Sequence, residues 1–581
     1  MRDPSHFGGF DWAVVFGLLA LTTFVAGRMA GSQRSLRDFF LGGRRLPWYA
    51  VAASIVATEI SAVTFISLPS VVARPGGDLT YLQLGLIGSL CAKAVIALVL
   101  VPAYYEREIY SPYDYMGARL GGGARLTASA LFALGGVLGQ AARVYLTAVV
   151  LEVILAGELA WVEVHTGLPP LVSAVVAIGV VAVAWTLIGG IATVVWTDGI
   201  LFLLFLVGIG VSLIAVHGHL EGGFGGALEG AWEAGKLRLI DFDPSPVKSY
   251  TIWTAAIAST WGMVGFYGTD QLIAQRLLCC RTAVEARRAV IASYAAMIVT
   301  CLVAAVGLGL WAFAAEHPQS ATALALASDQ ADRAFPAFIL EALPAGAKGL
   351  VLAGAFAAAI SSLDSILAAL SQTILSAVVV PVLRRRGREL EPAAALRASR
   401  LLVVLCAVLL CSLAVWIDRV AEDYASILDL ALAVASYTGG ALIAGFCLAF
   451  LGRSRAGAGL VFSAPLSVLA VFAVTSHQSW ALELGVPPTV LCSGAGVVLL
   501  ALFLHRRALP ELRAGAGMTR VAGQSFLLAA AAAGVVALAR WGSFPAPGGG
   551  RAVLAWPWYV PLGCAIASTL ALALARPAAQ R

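Results

Sequence analysis

Apolar runs long enough to cross a lipid bilayer recur along the whole chain. A transmembrane helix needs roughly 20 apolar residues in succession, and by this criterion the sequence contains about 15 such runs. Of the 581 residues, 60% are hydrophobic and 12% are charged, a composition that soluble globular domains do not have. The sequence therefore predicts an all-α polytopic membrane protein. The predicted spans begin near Trp12, Trp48, Leu82, Leu126, Pro170, Trp196, Ile252, Ile291, Gly349, Arg400, Ile427, Ala458, Pro488, Gln524 and Trp558.

Arginine residues indicate how these predicted helices are oriented. Short cytoplasmic loops of membrane proteins are rich in Lys and Arg, and Arg clusters follow the first, third, seventh, ninth, eleventh and thirteenth spans. This alternation predicts an N-terminus outside and a C-terminus inside. The net charge of +6 therefore reflects orientation in the membrane, and we expect no nucleic-acid partner.

A polar cluster interrupts the apolar segment between residues 349 and 383. Ser361, Ser362, Asp364 and Ser365 lie near its middle, where each polar group must find a partner or an ion within the protein. Sodium prefers oxygen ligands, and the three hydroxyls lie on nearly one helical face. As an alternative, the serines could donate to carbonyls of the preceding helical turn.

The second predicted span contains another group of polar residues. Glu59, Ser61 and Thr64 lie near its middle, and Pro69 follows. If such a segment unwinds, its freed carbonyls can bind an ion, as in the broken helices of transporters. The alternative is an ordinary proline kink. Asp198, near the start of the sixth span, could simply cap that helix.

Several motifs together resemble the sodium/solute symporter family, which includes sodium-coupled sugar, sialic acid, monocarboxylate, iodide and proline carriers. Residues 270–287 are similar to the family's D-Q-x-x-x-Q-R…E-A-R stretch, and residues 189–198 to its G-G-x-x-x-V-x-W-T-D segment. Residues 111–119 resemble its S-x-Y-E-Y-x-x-x-R loop, and residues 358–365 its sodium-site helix. The resemblance extends over about residues 11–451.

This resemblance implies a LeuT-like core of two inverted five-helix repeats with extra flanking helices, a fold that gives alternating access. We accordingly expect the first helix and a basic cytoplasmic loop at 1–47 and the first repeat, helices 2 to 6, at 48–217. An extracytoplasmic loop is expected at 218–251, the second repeat, helices 7 to 11, at 252–451, and peripheral helices at 452–581.

The resemblance also implies cation sites. The main sodium site would be formed by the carbonyls of Ala57, Ile60 and Ala358 and the hydroxyls of Ser361 and Ser362. A second sodium site, present in some members, would use Asp198, Ser361, Asp364 and Ser365. Asp364 replaces the hydroxyl of a two-sodium member, so this position could bind sodium more tightly or carry a proton. Glu59 is a further ionisable residue that could take part in coupling.

Substrate-binding residues follow partly from the resemblance. In members that carry acidic sugars, the positions equivalent to Ser61 and Thr64 contact the substrate. The remaining candidates are Gln83, Gln140, Arg143 and Phe266.

Arg143 and Lys93 are predicted to be buried cations, and a carboxylate substrate could neutralise one of them. Alternatively, Arg143 pairs with Glu59 or Glu152, and Lys93 with another acid, in a purely structural role.

The sequence thus predicts a sodium-coupled symporter that imports a small organic solute, an organic anion or an acidic sugar, through the cell membrane. Sodium is the only cofactor expected. A neutral-sugar carrier, a proton-coupled symporter and a solute sensor on a transporter scaffold are the alternatives. Met263 and Phe266 stand where sugar carriers place polar residues, which disfavours neutral sugars. An enzyme is not expected, because Ser361 has no His or Lys base within its span, and the sequence does not indicate an oligomeric state.

Overall fold

The computed structural model of the protein is built almost entirely of helices. It describes residues 7–29, 41–60, 62–106, 109, 111–188, 191–328, 330–387, 391–419, 427–475, 486–513, 517–541, 544–545 and 551–576. The helices of the first half are α1 (Gly9–Met29), α2 (Trp48–Glu59), α3 (Ala62–Ala73), α4 (Leu84–Tyr105), α5 (Pro112–Leu120), α6 (Gly122–Ile154), α7 (Ala156–Thr166), α8 (Pro170–Ile188), α9 (Ile191–His219) and α10 (Gly223–Glu233).

The second half is built in the same way. Its helices are α11 (254–269), α12 (Gln271–Leu278), α13 (Ala283–Glu316), α14 (Ala321–Ala327), α15 (Ala334–Ala342), α16 (Ala347–Ile374), α17 (Pro392–Ile417), α18 (Ile427–Phe450), α19 (Gly457–Ala473), α20 (Pro488–Arg513), α21 (Met518–Trp541) and α22 (Tyr559–Ala573). One antiparallel ladder of two residues per strand joins β1 (Phe544–Pro545) to β2 (Arg551–Ala552).

Twelve helices in the described part of the chain are long and apolar enough to cross a membrane, or 13 if the bent pair α2 and α3 forms one span. Helix α1, whose apolar part is Gly9–Val25, and helix α11 are not in that number. The helical, multi-pass architecture predicted from the sequence is confirmed. The count of about 15 spans and the orientation of the termini stay predictions.

The second predicted span is broken, as its polar residues indicated. Helix α2 ends at Glu59, and Ile60 has non-helical dihedral angles of φ −87° and ψ 89°. The axes on either side of the break differ by 52°. Pro69 lies within α3, beyond the break, so this is not an ordinary proline kink. Ser61 lies outside the described residues.

Helix α16 occupies the centre of the bundle, where it packs against α1, α6, α8, α9 and α17 and against both halves of the broken span. Its start is held by Asp11 of α1, whose Oδ1 atom accepts hydrogen bonds from the amides of Gly346 (2.7 Å) and Gly349 (3.1 Å). At Gly349 a Cβ atom would lie 2.4 Å from the Asp11 carbonyl oxygen. Glycine therefore lets α1 approach α16 closely enough for this contact.

The end of α3 is capped by a lysine from a distant loop. The buried Lys236, which follows α10, donates to the carbonyls of Val72 (3.0 Å), Arg74 (3.0 Å) and Gly77 (2.9 Å). The last carbonyls of a helix have no partner within the helix, so this ammonium group satisfies several of them. The contact fastens the predicted outside loop to the far half of the broken span.

The C-terminal helices pack at two different places. Helix α22 lies against α18 and α19, whereas α20 and α21 pack against each other and against α19. Only 17% of the apolar window of α20 and 22% of that of α21 are buried, compared with 72% for α6 and α18. Among the twelve candidate spans of the described residues, α20 and α21 therefore have the smallest buried share.

Candidate ion and substrate site

A cavity of about 240 Å³ lies beside the break in the second span. Helices α3, α4, α6, α11 and α18 contribute to its wall. Four of the predicted substrate residues line it: Thr64, Gln140, Arg143 and Phe266. Close packing of α6 on α18 shapes one wall, because a Cβ atom at Gly135 would lie 2.1 Å from the Thr438 hydroxyl oxygen.

The other two predicted substrate residues, Gln83 and Ser61, are not found in the cavity wall of the described structure. Gln83 is buried between the lining residues Leu82 and Leu84 but is not itself part of the wall. Within the described part of the chain, neither polar atom of its amide has a hydrogen-bond partner. Ser61 lies outside the described residues. Substrate contacts by all six residues stay predictions.

Arg143 lines this cavity and has a buried guanidinium nitrogen. Its Nη1 atom has no hydrogen-bond partner among the described residues. The two acids considered as partners are paired elsewhere: Glu59 with Lys93 at 2.9 Å, and Glu152 with Arg333 at 2.8 Å. The structural pairing proposed for Arg143 is therefore not the one found.

Asp270 is a wall residue that sequence reasoning had not assigned to the pocket. It lies close enough to Arg143 to act on its charge. One oxygen of its carboxylate, Oδ1, accepts a hydrogen bond from the Leu272 amide (2.7 Å) and caps α12. The only available signal was its place in the D-Q-x-x-x-Q-R motif.

Lys93 has the structural role that the alternative described. Its ammonium group donates to Glu59 and to the carbonyl of Ser293 (3.0 Å), and it lies 4.8 Å from the centre of the Tyr267 ring. This contact ties the end of α2 to α4 and α13. Glu59 lines the cavity, but its carboxylate is neutralised by a lysine.

The predicted main sodium site contains a hydroxyl without a partner. Ser362 is buried in α16, and its Oγ atom makes no hydrogen bond within the described residues. It does not donate to the preceding turn, unlike Ser212 in α9, which donates to Gly208 O at 2.8 Å. Such an oxygen fits a sodium ligand, because the ion would provide the missing partner.

The other residues of that site lie on the two packed elements. Ala57 and Ile60 are buried at the end of α2 and at the break, and α16 packs against both α2 and α3. The side chains of Ala358 and Ser361 lie outside the described part of the structure. The ligand set therefore stays a prediction.

The predicted second site is built around an arginine. Arg276 Nη2 donates to Asp198 Oδ2 (3.0 Å) and to Ser365 Oγ (2.9 Å). Its Nε atom donates to Ser54 Oγ (2.8 Å), and Ser365 Oγ donates to Asp364 Oδ1 (3.2 Å). Asp198 and Ser365 thus contact one guanidinium group, and Asp364 lies beside Ser365, while their use as cation ligands stays a prediction.

Charge within this cluster is only partly balanced. Arg276 and Asp198 are almost completely buried and form a salt bridge, which leaves Asp364 as the second carboxylate. Helix α9 begins at Ile191, so Asp198 lies inside the helix and does not cap it. The sequence had drawn attention to Arg276 as part of a motif but not to its position among the candidate cation ligands.

The sequence pattern of the sodium:solute symporter family matches residues 39–459. The chain belongs to the sodium:solute symporter family. It is similar to sodium-coupled monocarboxylate transporter 1 of Xenopus laevis, with 28% identity over 466 residues that cover 78% of this chain and 70% of that protein. It is also similar to the sodium/sialic acid symporter of Proteus mirabilis (strain HI4320), with 28% identity over 479 residues that cover 80% and 90% of the two chains.

A solved structure supports the same fold. The substrate-bound outward-open state of a Na⁺-coupled sialic acid symporter has a TM-score of 0.67 and 26% sequence identity, and the match covers 81% of this chain and 92% of that one. The predicted LeuT-like fold class is confirmed. This symporter is a sodium-coupled, multi-pass plasma-membrane transporter of a small molecule and not an enzyme.

The Arg276–Asp198 pair gives a testable expectation for stability. Removing one partner of a buried ion pair leaves an uncompensated charge, which costs about 3–5 kcal/mol. We expect Arg276→Gln to lower the thermal midpoint of the detergent-purified symporter strongly, and Asp198→Asn to restore part of that loss in the double variant. The more exposed pair of Arg333 and Glu152 supplies a matched control, since Arg333→Gln should cost no more than about 1 kcal/mol. A wild-type midpoint for Arg276→Gln would contradict this role.

Proposed function

We propose that this symporter imports a small organic anion, a monocarboxylate or an acidic sugar, and that Arg143 binds its carboxylate. The observation that carries the proposal is the buried Nη1 atom of Arg143, which lacks a partner among the described residues while its side chain lines the cavity. A guanidinium group can donate two parallel hydrogen bonds to one carboxylate.

The hydrogen bonding of Arg143 also favours an anion. Lys93 neutralises Glu59, and Asp270, whose charge acts on Arg143, uses one carboxylate oxygen to cap α12. A buried polar group without a hydrogen-bond partner is costly, and a carboxylate would satisfy Arg143 Nη1 with a charge-assisted bond, which is stronger than the bond that a neutral sugar oxygen would make. The monocarboxylate and sialic acid carriers among the relatives are consistent with this choice.

Sodium would couple to this substrate through the break in the second span. In the proposed site, the carbonyls of Ala57, Ile60 and Ala358 and the hydroxyls of Ser361 and Ser362 bind one ion. An ion held by ligands from both elements favours the conformer in which the break and α16 are close. Thr64 lies just beyond the break and lines the cavity, so the same conformer would complete the substrate site.

A second cation would bind at Asp364. Arg276 already compensates Asp198, which leaves the Asp364 carboxylate as the group whose charge an incoming sodium ion or proton would neutralise. With a monoanionic substrate, two cations per cycle would carry one net positive charge inward. Glu59, held by Lys93, would then have no direct part in cation transport.

Replacing Arg143 tests the substrate class. Loss of two charge-assisted hydrogen bonds, each worth about 1.5–3 kcal/mol, should raise KM for the anion by at least about tenfold in Arg143→Gln. Arg143→Lys should keep part of the affinity because it keeps the charge. The measurement is sodium-dependent uptake of labelled monocarboxylate, sialic acid and glucose into proteoliposomes. Saturable glucose uptake that Arg143→Gln leaves unchanged would support a neutral-sugar carrier instead.

Replacing Ser362 tests the main sodium site. We expect Ser362→Ala to raise the sodium concentration for half-maximal uptake by about tenfold, the effect of losing roughly 1.4 kcal/mol of ligand interaction. Ser212→Ala is the matched control, because Ser212 is equally buried but bonds within its own helix. The site is wrong if both variants have the sodium dependence of the wild type.

Replacing Asp364 tests the second cation. A potential of 100 mV contributes about 2.3 kcal/mol per charge, or up to about 50-fold accumulation. Wild-type vesicles should show this response for a monoanion, and Asp364→Asn vesicles should show almost none, whether the lost cation is sodium or a proton. Uptake is measured under potassium diffusion potentials, with Asp78→Asn in the loop before α4 as the control. An unchanged voltage response would remove Asp364 from cation coupling.

A further inference from the structure

A second buried arginine with free donors lies far along the chain from the transport site, in the C-terminal helices. Arg507 belongs to α20 and is only 4% exposed. Its Nε atom donates to Glu511 Oε1 at 3.1 Å, and its guanidinium carbon lies 5.5 Å from the centre of the Phe503 ring. Neither Nη1 nor Nη2 has a hydrogen-bond partner within the described residues. The buried guanidinium group of Arg507 therefore has two nitrogen atoms that can donate hydrogen bonds to a ligand.

Further arginines surround this group. Arg520, in the first turn of α21, and Arg576, just beyond α22, lie near enough for their like charges to act on Arg507. Arg520 donates to the Ala575 carbonyl (3.0 Å), which fastens the start of α21 to the end of α22. The exposed Arg576 is positioned through its amide, which donates to the Arg455 carbonyl (3.2 Å).

The excess of positive charge around Arg507 favours binding of an anion. Arg507 is paired with the Glu511 carboxylate, and the positive charges of Arg520 and Arg576 act on Arg507 as well. The neighbouring positive charges repel the buried Arg507, and a buried cation without a full set of hydrogen bonds is costly. A bound anion with several acceptor oxygens would relieve both effects.

We propose that this cluster binds a phosphate group at the membrane face. Arginine forks match the geometry of phosphate oxygens, which accept two parallel hydrogen bonds from one guanidinium group. The cluster lies at the Arg-rich end of α20, the side that the charge rule makes cytoplasmic. Basic pockets between transmembrane helices on that side are suited to anionic headgroups.

Two sources could supply such a phosphate. One is the headgroup of an anionic phospholipid, which could arrive laterally because only 17% of the apolar window of α20 is buried. The other is a soluble phosphate or phosphate ester from the aqueous phase. In either case the ligand would hold α20 and α21 against the end of α22, away from the cavity that takes the transported solute.

Binding is tested on the delipidated full-length symporter in detergent. Thermal midpoints and native mass spectra are recorded with phosphatidylglycerol, phosphatidylcholine, inorganic phosphate and glycerol phosphate. For a lipid ligand, phosphatidylglycerol should raise the midpoint and remain bound in the mass spectrum, while phosphatidylcholine and the soluble phosphates should not. A response to the soluble phosphates as well would identify the aqueous source.

Matched variants connect the binding to Arg507. Arg507→Gln should weaken the response by about tenfold or more, because charge-assisted hydrogen bonds are lost. Arg506→Gln removes the same charge from the exposed neighbouring position and should leave the response nearly unchanged. If Arg507→Gln does not yield folded protein, Arg576→Gln, whose side chain is exposed, takes its place and should weaken the response. Equal responses in the wild type and the Arg507 or Arg576 variant, or no response to any phosphate, would overturn the proposal.

Discussion

The hydrogen-bonded ion pair of Arg276 and Asp198 is the interaction on which the centre of this symporter depends. From α12, the guanidinium group reaches Ser54 of α2, Asp198 of α9 and Ser365 of α16. Separating these helices would leave charges unpaired where the surroundings solvate them poorly. The part of α2 around Ser54, α9 and α16 are therefore expected to move together during alternating access, and relative motion should begin at the break after Glu59.

Some polar groups near the two sites have a charged partner, and others have no hydrogen-bond partner. Lys93 and Arg276 have carboxylate partners, so their charges are already compensated and their role is to fix helices in place. Ser362 Oγ, Arg143 Nη1 and the amide of Gln83 have no partner among the described residues. Buried polar groups are normally satisfied, and these three lie in or beside the cavity wall or in the predicted sodium-site helix, where an ion or a substrate would complete their hydrogen bonding.

Sequence reasoning predicted the features that depend on local chemistry. Apolar runs predicted the helices. The polar residues around Glu59 predicted the break, because a segment that is unsuited to a continuous membrane helix can be recognised from its own residues. Pairings between distant segments were harder to predict. Lys93 could have met several acids, and the choice of Glu59 depends on how α4 packs against the end of α2. Arg276 likewise lies among the candidate cation ligands because of where α12 packs, and the local sequence does not predict that packing.

Coupling places an energetic demand on the sodium site. Shifting a conformational equilibrium from 1:99 to 99:1 requires about 5.5 kcal/mol of differential binding, more than the roughly 2.3 kcal/mol that one charge gains from 100 mV. An ion bound within a single rigid helix would not supply this difference, because its ligands would be the same in both conformers. A site divided between the break in the second span and α16 would meet the demand, since a change of direction at the break would move the Ile60 carbonyl away from the ion. The part of α2 around Ser54 can then stay fixed to α16, while the non-helical residue Ile60 lets the chain beyond it move relative to Ser362.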